Sequence, residues 1–473
     1  MKAGNLMTQH VQEMEKRTEI KKLPLMLVLL SGAFAAILNQ TLLATAIPHI
    51  MADLDLEADV AQWLQSVFML VNGIMIPVTA FLIGKFTTRR LFFTALTLFG
   101  IGTLVCGTAP NFTVLMFGRI LQASGAGIIM PLMQTILFLV YPREKRGTAM
   151  GFFGLVISFA PAIGPTLSGW FVEIYPWRGL FYIILPIVIL DLIVAYFILR
   201  NVTEQTDPKL DVTSIVLSTL GFGGLLYGFS VAGSGWLNPT VVTSLLVGAV
   251  TLTLFIRRQF RLKQPILEFR VFSDPVFTLA TIIGMVAFMT MIGGAIILPI
   301  FMQNMLGFTA FESGLMMLPG ALLMGIMSPV TGRLFDKFGA RWLVIPGLGI
   351  ITVTTFMFTV LDTETTFTYL AVVNAVRMLG ISMVMMPSTT AGLNQLSDRL
   401  VPHGTAMNNT MRQVAGAVGT ALFVSVMTIT MIPGEGAMGM IHGVNMSFIL
   451  TGVFSLAGFI LAFRLRKPQT EEH

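Results

Sequence analysis

The chain has 473 residues, yet only 11% are charged and 55% are apolar, against about 25% charged in ordinary soluble domains. Water is therefore not its main solvent. The net charge of +6 comes from 29 Lys and Arg against 23 Asp and Glu, and the single cysteine, Cys106, excludes an internal disulfide or a multi-thiolate metal site. Five histidines form no HExxH pair, and neither a GxxxxGK(S/T) loop nor a GxSxG elbow occurs. The sequence thus points away from an ATP-driven pump, a hydrolase or any other enzyme, and no cofactor is expected.

Apolar runs near the ~20 residues needed to cross a hydrocarbon core recur from end to end. In chain order the first eight cover 24–47, 61–82, 91–108, 112–140, 148–171, 179–199, 212–232 and 240–256. The remaining six cover 276–300, 313–332, 342–360, 368–390, 404–430 and 443–463. The first is too long for a signal-peptide h-region and no small-residue cleavage site follows it, so it is expected to be retained. The predicted fold class is an all-α polytopic membrane protein with 14 transmembrane helices.

Basic residues test that count, because Lys and Arg accumulate in cytoplasmic loops. With both termini cytoplasmic, alternate loops hold 25 of the 29 Lys and Arg, Arg178 alone lies in an outer loop, and Arg119, Arg377 and Arg412 lie within spans. A missed span would scramble this asymmetry. The positive charge is thereby spread over separate loops as a topology signal, and no nucleic-acid partner is implied.

Two stretches repeat: GIMIPVTAFLIGKFTTRR (73–90) and GIMSPVTGRLFDKFGARW (325–342) share 10 of 18 positions at an offset of 252 residues. A second echo pairs RILQASGAGIIMP from Arg119 with RMLGISMVMMP from Arg377. Eight spans separate each pair, so the copies have the same orientation and mark two homologous six-span halves. The expected organisation is a tail at 1–23, a first bundle at 24–199, an inserted hairpin and linker at 200–275, a second bundle at 276–463 and a tail at 464–473.

GRLFDKFGAR (332–341) resembles the loop motif between the second and third helices of a major facilitator half. RILQASGAG from Arg119 resembles the fourth-helix motif of that superfamily, and APAIGPTLSGW from Ala160 its antiporter-associated Gly-Pro motif in the fifth helix. With LNQTLLATAIP from Leu38 and WRGLFYIILP from Trp177, the chain is similar to the fourteen-span drug:proton antiporters, especially their lincomycin-resistance-like group. That resemblance implies a bacterial plasma-membrane exporter of varied hydrophobic or cationic drugs, driven by a proton gradient and acting as a monomer. The rival readings are a dedicated exporter of one endogenous metabolite or lipid-like compound, and a membrane sensor or scaffold without turnover. Two departures stand out: Gly84 replaces the first loop motif's Asp, and Asn39 stands where many relatives carry an Asp.

Asp191 lies alone among Ile, Leu and Val in IILPIVILDLIVAYFIL and is the leading candidate to load and release a proton; a carboxyl that merely hydrogen-bonds a neighbouring helix is the alternative. Arg119, Glu173, Glu312 and His49 complete the proton-coupling candidates. Mid-depth polar and soft side chains are the candidate substrate ligands: Asn39, Gln40, Met69, Asn72, Gln122, Met291, Met316, Met317, Asn374, Arg377 and Met378. For any one methionine, a lipid-facing or core position is the plainer reading. Asp336, Gly332, Arg341, Gly164, Pro165 and Arg412 are the candidates for conformational gating, with an ordinary solvated loop and a purely structural helix interface as the alternatives.

Overall fold

The computed structural model describes residues 22–203, 205–206 and 210–465. Most of both expected tails, and the side chain of Pro165, lie outside the described residues. Among the described residues fourteen helices are long and apolar enough to cross a membrane, and no strand occurs. They are α1 (Lys22–Leu54), α2 (Ala58–Lys85), α3 (Thr88–Gly107), α4 (Phe112–Val140), α5 (Arg146–Ile174), α6 (Gly179–Ile198) and α7 (Val212–Ser230). The others are α8 (Pro239–Arg261), α9 (Pro275–Asn304), α10 (Ala310–Phe338), α11 (Arg341–Met357), α12 (Phe367–Leu393), α13 (Val401–Ile429) and α14 (Gly436–Ala462). Helices suit such a sequence because each satisfies its own backbone polar groups where water is absent.

Caps carry several helices past the apolar runs that predict them. Asp274 starts α9 by accepting hydrogen bonds from Val276 N and Phe277 N, both at 2.8 Å, with Pro275 at the first helical position. Thr309 and Glu312 form a capping box at the start of α10. Gly339, at φ 79°, ends that helix in the left-handed conformation glycine tolerates. As a result α10 spans 310–338 where apolarity alone marks 313–332; α1 also outruns its apolar stretch, to Leu54 rather than 47.

Helices α1–α6 pack among themselves, as do α9–α14, and two seams join the sets: α5 lies on α10 and α12, while α13 lies on α2 and α4. Since α10 repeats α2 and α13 stands eight helices after α5, the seams are pseudo-symmetric partners. The hairpin α7–α8 breaks the symmetry. Its helices meet through Gly221, Gly224 and Gly248, where a Cβ would press on the facing backbone. Outside, it rests on α2, with Trp63 and Tyr227 stacked at 5.6 Å, and on α13, where Trp236 Nε1 donates to Ser425 Oγ at 2.8 Å. The insertion between the halves in sequence thus covers one inter-half seam in space.

Candidate functional site

The end of the bundle where the even-numbered helices finish carries the basic loops, and here the two halves are bonded. Asp336 at the end of α10 accepts from Gly147 N at 2.7 Å, Thr148 N at 2.8 Å and Thr148 Oγ1 at 2.5 Å. Its carboxylate thereby caps the positive end of α5. Gly332 allows the approach, because a Cβ there would run into the Gly147 carbonyl. A second cluster joins α4 and the start of α5 to the second half. Asn409 Nδ2 donates to Gln134 Oε1 at 2.5 Å, while Arg146 donates to Asn394 Oδ1 at 3.1 Å and pairs with Asp398 at 3.6 Å. Between described residues, every hydrogen bond and ion pair linking α1–α6 to α9–α14 lies at this basic end.

Backbone contact reinforces the closure. Along α5, Gly147, Gly151 and Gly154 face Gly332, Ser328 and Pro329 of α10, and a Cβ on Gly151 would lie 2.5 Å from Ser328 O and 2.9 Å from Pro329 Cα. The gating candidates divide accordingly. Gly164 does not face the other half: a Cβ there would meet Thr41 of α1, within its own half. Arg341 does not bridge the halves either, since it donates to Leu465 O at 3.2 Å beyond α14. Arg412 stays inside the second half, bonding Met385 O at 3.1 Å and Thr389 Oγ1. The sequence reading missed Gln134, Arg146, Asn394 and Asn409. A lone Gln in IIMPLMQTILFLV was the available signal, but its partner is 275 residues away.

In the first half, fully buried Arg119 donates from Nε to Leu64 O at 3.1 Å and from Nη1 to Gln122 Oε1 at 3.0 Å. Its guanidinium lies 4.3 Å from the Phe68 ring centroid. Gln122 Nε2 in turn donates to Thr103 Oγ1 at 2.8 Å and Asn39 Oδ1 at 3.3 Å. A polar core thus ties α1, α2, α3 and α4 together around a cation whose burial costs about 2.5–3.5 kcal/mol on an insertion scale. Gln40, next to Asn39, is half-buried.

The second half places Arg377 and Asn374 of α12 at zero exposure, with Met378 at 7% and Met316 at 0%. Arg377 Nη2 donates to Thr290 O of α9 at 3.2 Å. Its Nε and Nη1, and both side-chain polar atoms of Asn374, have no partner among the described residues. Met316 belongs to an apolar core within this half rather than to an open cavity wall. Met291, Met317 and Asn72 are half-buried, and Met69 is exposed.

Asp191 and Arg119 do not meet. Asp191, 4% exposed, accepts from Ser31 Oγ at 2.5 Å across the packing of α6 on α1. Glu312 is taken up in its capping box with Thr309, and Glu173 and His49 are exposed at the end opposite the basic loops. A cavity of about 560 Å³ opens at the basic end among Gly84, Lys263, Arg399 and His403, away from every candidate ligand.

Two six-helix sets bonded at one end, each with a buried arginine on its fourth helix, form a two-sided carrier frame. The family model described as Major Facilitator Superfamily matches residues 29–420. The chain belongs to that superfamily. It is 56% identical over 447 residues to the uncharacterized MFS-type transporter YcnB of Bacillus subtilis, covering 93% of this chain and 94% of the relative. It is 42% identical over 467 residues to the lincomycin resistance protein LmrB of Bacillus subtilis, covering 96% and 98%. The crystal structure of the human organic anion transporter MFSD10 superposes with a TM-score of 0.70 over 94% of this chain and 100% of that one; at 13% identity the likeness speaks for the fold. The protein is therefore a multi-pass membrane transporter, not an enzyme.

Proposed function

We propose that this transporter exports hydrophobic drugs from the cytoplasm of a bacterium in exchange for protons, by alternating access between bundles 24–199 and 276–463. The observation carrying this reading is the one-ended closure: inter-half bonds gather at the basic end, while the opposite end has none between described residues. Such a frame is poised to open alternately at either end. Among the described residues, 18 Lys and Arg lie at the bonded end against Arg178 at the other, which supports placing the bonded end in the cytoplasm. The likeness to a lincomycin resistance protein supports export of drugs. Asn39, Gln122, Asn374 and Arg377 are the proposed cargo ligands, and Asp191 the proposed proton carrier. Asp191 is the buried carboxylate among the described residues, whereas Glu173 and His49 are exposed and Glu312 is half-buried in its capping box.

Proteoliposomes with an imposed pH gradient test the reading. Compounds from a broad drug panel should move against their own gradients when protons run the other way, and collapse of the pH gradient should stop them. Movement of a single cellular metabolite but none of the panel would favour the dedicated exporter. Movement indifferent to the pH gradient would remove proton exchange.

A further inference from the structure

The charges inside the bundle choose among possible cargoes. Arg119 and Arg377 are fully buried and Arg412 is 5% exposed. No carboxylate pairs with any of them among the described residues. Asp191, the buried acid, is engaged with Ser31 instead. An uncompensated cation in a low-dielectric interior attracts an anion, and repels a second cation, several-fold more strongly than in water.

The two pseudo-equivalent arginines differ in a way that locates a site. RILQ in the first half becomes RMLG in the second, so Gly380 stands where Gln122 would supply an acceptor. Arg119 bonds Gln122 and the Leu64 carbonyl. Arg377 has the Thr290 carbonyl as its one acceptor among the described residues, with the Phe358 ring centroid 5.8 Å away, and both its Nε and Nη1 remain without acceptors, against Nη2 alone for Arg119. Asn374, one turn away on the same face of α12, has both its amide N and O unmet. Unpaired buried donors of this kind are costly, and a carboxylate oxygen is the group that would meet them. Gly294 and Gly320 leave the space these side chains fill, since a Cβ at either would crowd Arg377 or Asn374.

The ends of the molecule agree with that polarity. The loops and adjoining helix ends opposite the basic end hold nine Asp and Glu, at 53, 55, 57, 59, 173, 312, 362, 364 and 435, against the single Arg178. An anion would thus be gathered at the basic end and discouraged from returning through the acidic one.

We propose that Arg377 and Asn374 receive the negatively charged headgroup of an apolar cargo, a carboxylate in the simplest case, so that the preferred substrates are amphiphilic anions rather than cations. This rests on the export reading above and replaces the cationic cargo class that family resemblance implies. Both residues are fully buried in the conformation described, so the headgroup reaches them as the helices around α9 and α12 part.

Three probes sharing one tail separate the charge classes: decanoate, decanamide and decylamine, titrated into purified protein in neutral detergent. Decanoate should bind at least about tenfold tighter than either of the others, which is about 1.4 kcal/mol. Arg377→Gln should bring the three within about twofold of one another. Asn374→Asp supplies an internal carboxylate beside Arg377, guards against misfolding of the first variant, and should likewise abolish the preference. Arg377→Lys, which keeps the charge, should retain it in part. Equal or tighter binding of decylamine, binding of none of the three, or a decanoate preference untouched by both neutralising variants would overturn the proposal. The export reading is judged separately by the drug panel. Panel export without decanoate preference sinks only the anion site, and decanoate preference without pH-driven export sinks only the export reading.

Discussion

Ser31 Oγ donates a 2.5 Å hydrogen bond to Asp191 Oδ1, joining α1 to α6 across 160 residues of sequence. The second oxygen, Oδ2, has no partner among the described residues, and Gly32 keeps the space beside it clear. Asparagine at 191 preserves the acceptor for Ser31 but cannot bind and release a proton. Asp191→Asn should therefore fold and bind cargo within about twofold of the parent while losing most pH-gradient-driven export. Undiminished proton-coupled export would assign the carboxylate to helix joining alone.

Asp336 joins α10 to the start of α5 at the basic end through three bonds from Gly147 and Thr148. Hydrogen bonds to a charged group contribute about 1.5–3 kcal/mol each, and partial exposure lowers the net effect. Asp336→Asn should weaken closure by about 2 kcal/mol, a roughly thirtyfold shift toward the form open at the basic end. Cys106 is buried, so a Cys106→Ala background carrying Ser328→Cys reports the change. Ser328 is 1% exposed in the α5–α10 seam, and its maleimide labelling should accelerate in the Asp336→Asn protein. Unchanged labelling would deny this cluster its latch role.

Gly151 and Gly164 predict different failures for the same substitution. Leucine at 151 meets the backbone of Ser328 and Pro329 in the opposite half, which has little freedom to yield. Gly151→Leu should prevent closure and abolish transport, leaving helix content and insertion intact. Leucine at 164 instead presses on Thr41 in its own half, so Gly164→Leu should lower thermal stability, by about 1–3 kcal/mol, as overpacking does. Equal thermal stability of the two variants would contradict this division of α5.

The spans were legible because membrane crossing demands long apolar runs, and the pseudo-repeat survived as the paired motifs around Lys85 and Lys337. Helix ends were less legible, since Thr309 starts α10 by hydrogen bonding three residues before its apolar run begins. Glu312 shows the cost of reading a residue by type alone: T-A-F-E carries the capping-box spacing, yet the carboxylate was grouped with proton carriers. Asp336 was recognisable from its motif, but its partners on α5 were not. The Gln134–Asn409 bond and the placement of the hairpin over α2 and α13 were hidden because long-range pairing leaves no local periodicity. The small residues of α5 announced close packing without telling which face met which helix.

The hairpin is fastened at the basic end by Asp211, which accepts from Arg258 Nε at 2.7 Å and Nη2 at 2.9 Å. Gln259 bonds Ser214 at 2.7 Å and accepts from Ile266 N at 2.8 Å, carrying the attachment into the linker. The hydrogen bond from Arg258 is the main cause that holds the Asp211 carboxyl at about 2, below its ordinary 3.8. A carboxylate depressed on folding contributes stability that is complete above the unfolded value and disappears as pH falls through the folded one. The attachment should therefore be constant above about pH 4 and loosen between 3.8 and about 2. At neutral pH, Asp211→Asn should mimic the acid state and speed hydrogen exchange at Ile266. Full protection of that amide in the variant would place the fastening elsewhere.

Arg119 separates charge from shape. Lysine at this position retains a cation but cannot donate simultaneously to Leu64 O and Gln122 Oε1 in the fixed geometry of a guanidinium, nor reproduce its contact with the Phe68 ring. Gln122 would then lose one of the contacts that aim it at Asn39 and Thr103. Arg119→Lys should cut export at least about tenfold. If the planar fork positions cargo-binding groups, Gln122→Glu, which supplies a carboxylate to the retained arginine, should also impair export, and the double variant should be no worse than the poorer single one, as expected for residues acting as a unit. Full activity of Arg119→Lys would reduce Arg119 to a buried positive charge. Strictly additive losses would show that Arg119 and Gln122 act independently.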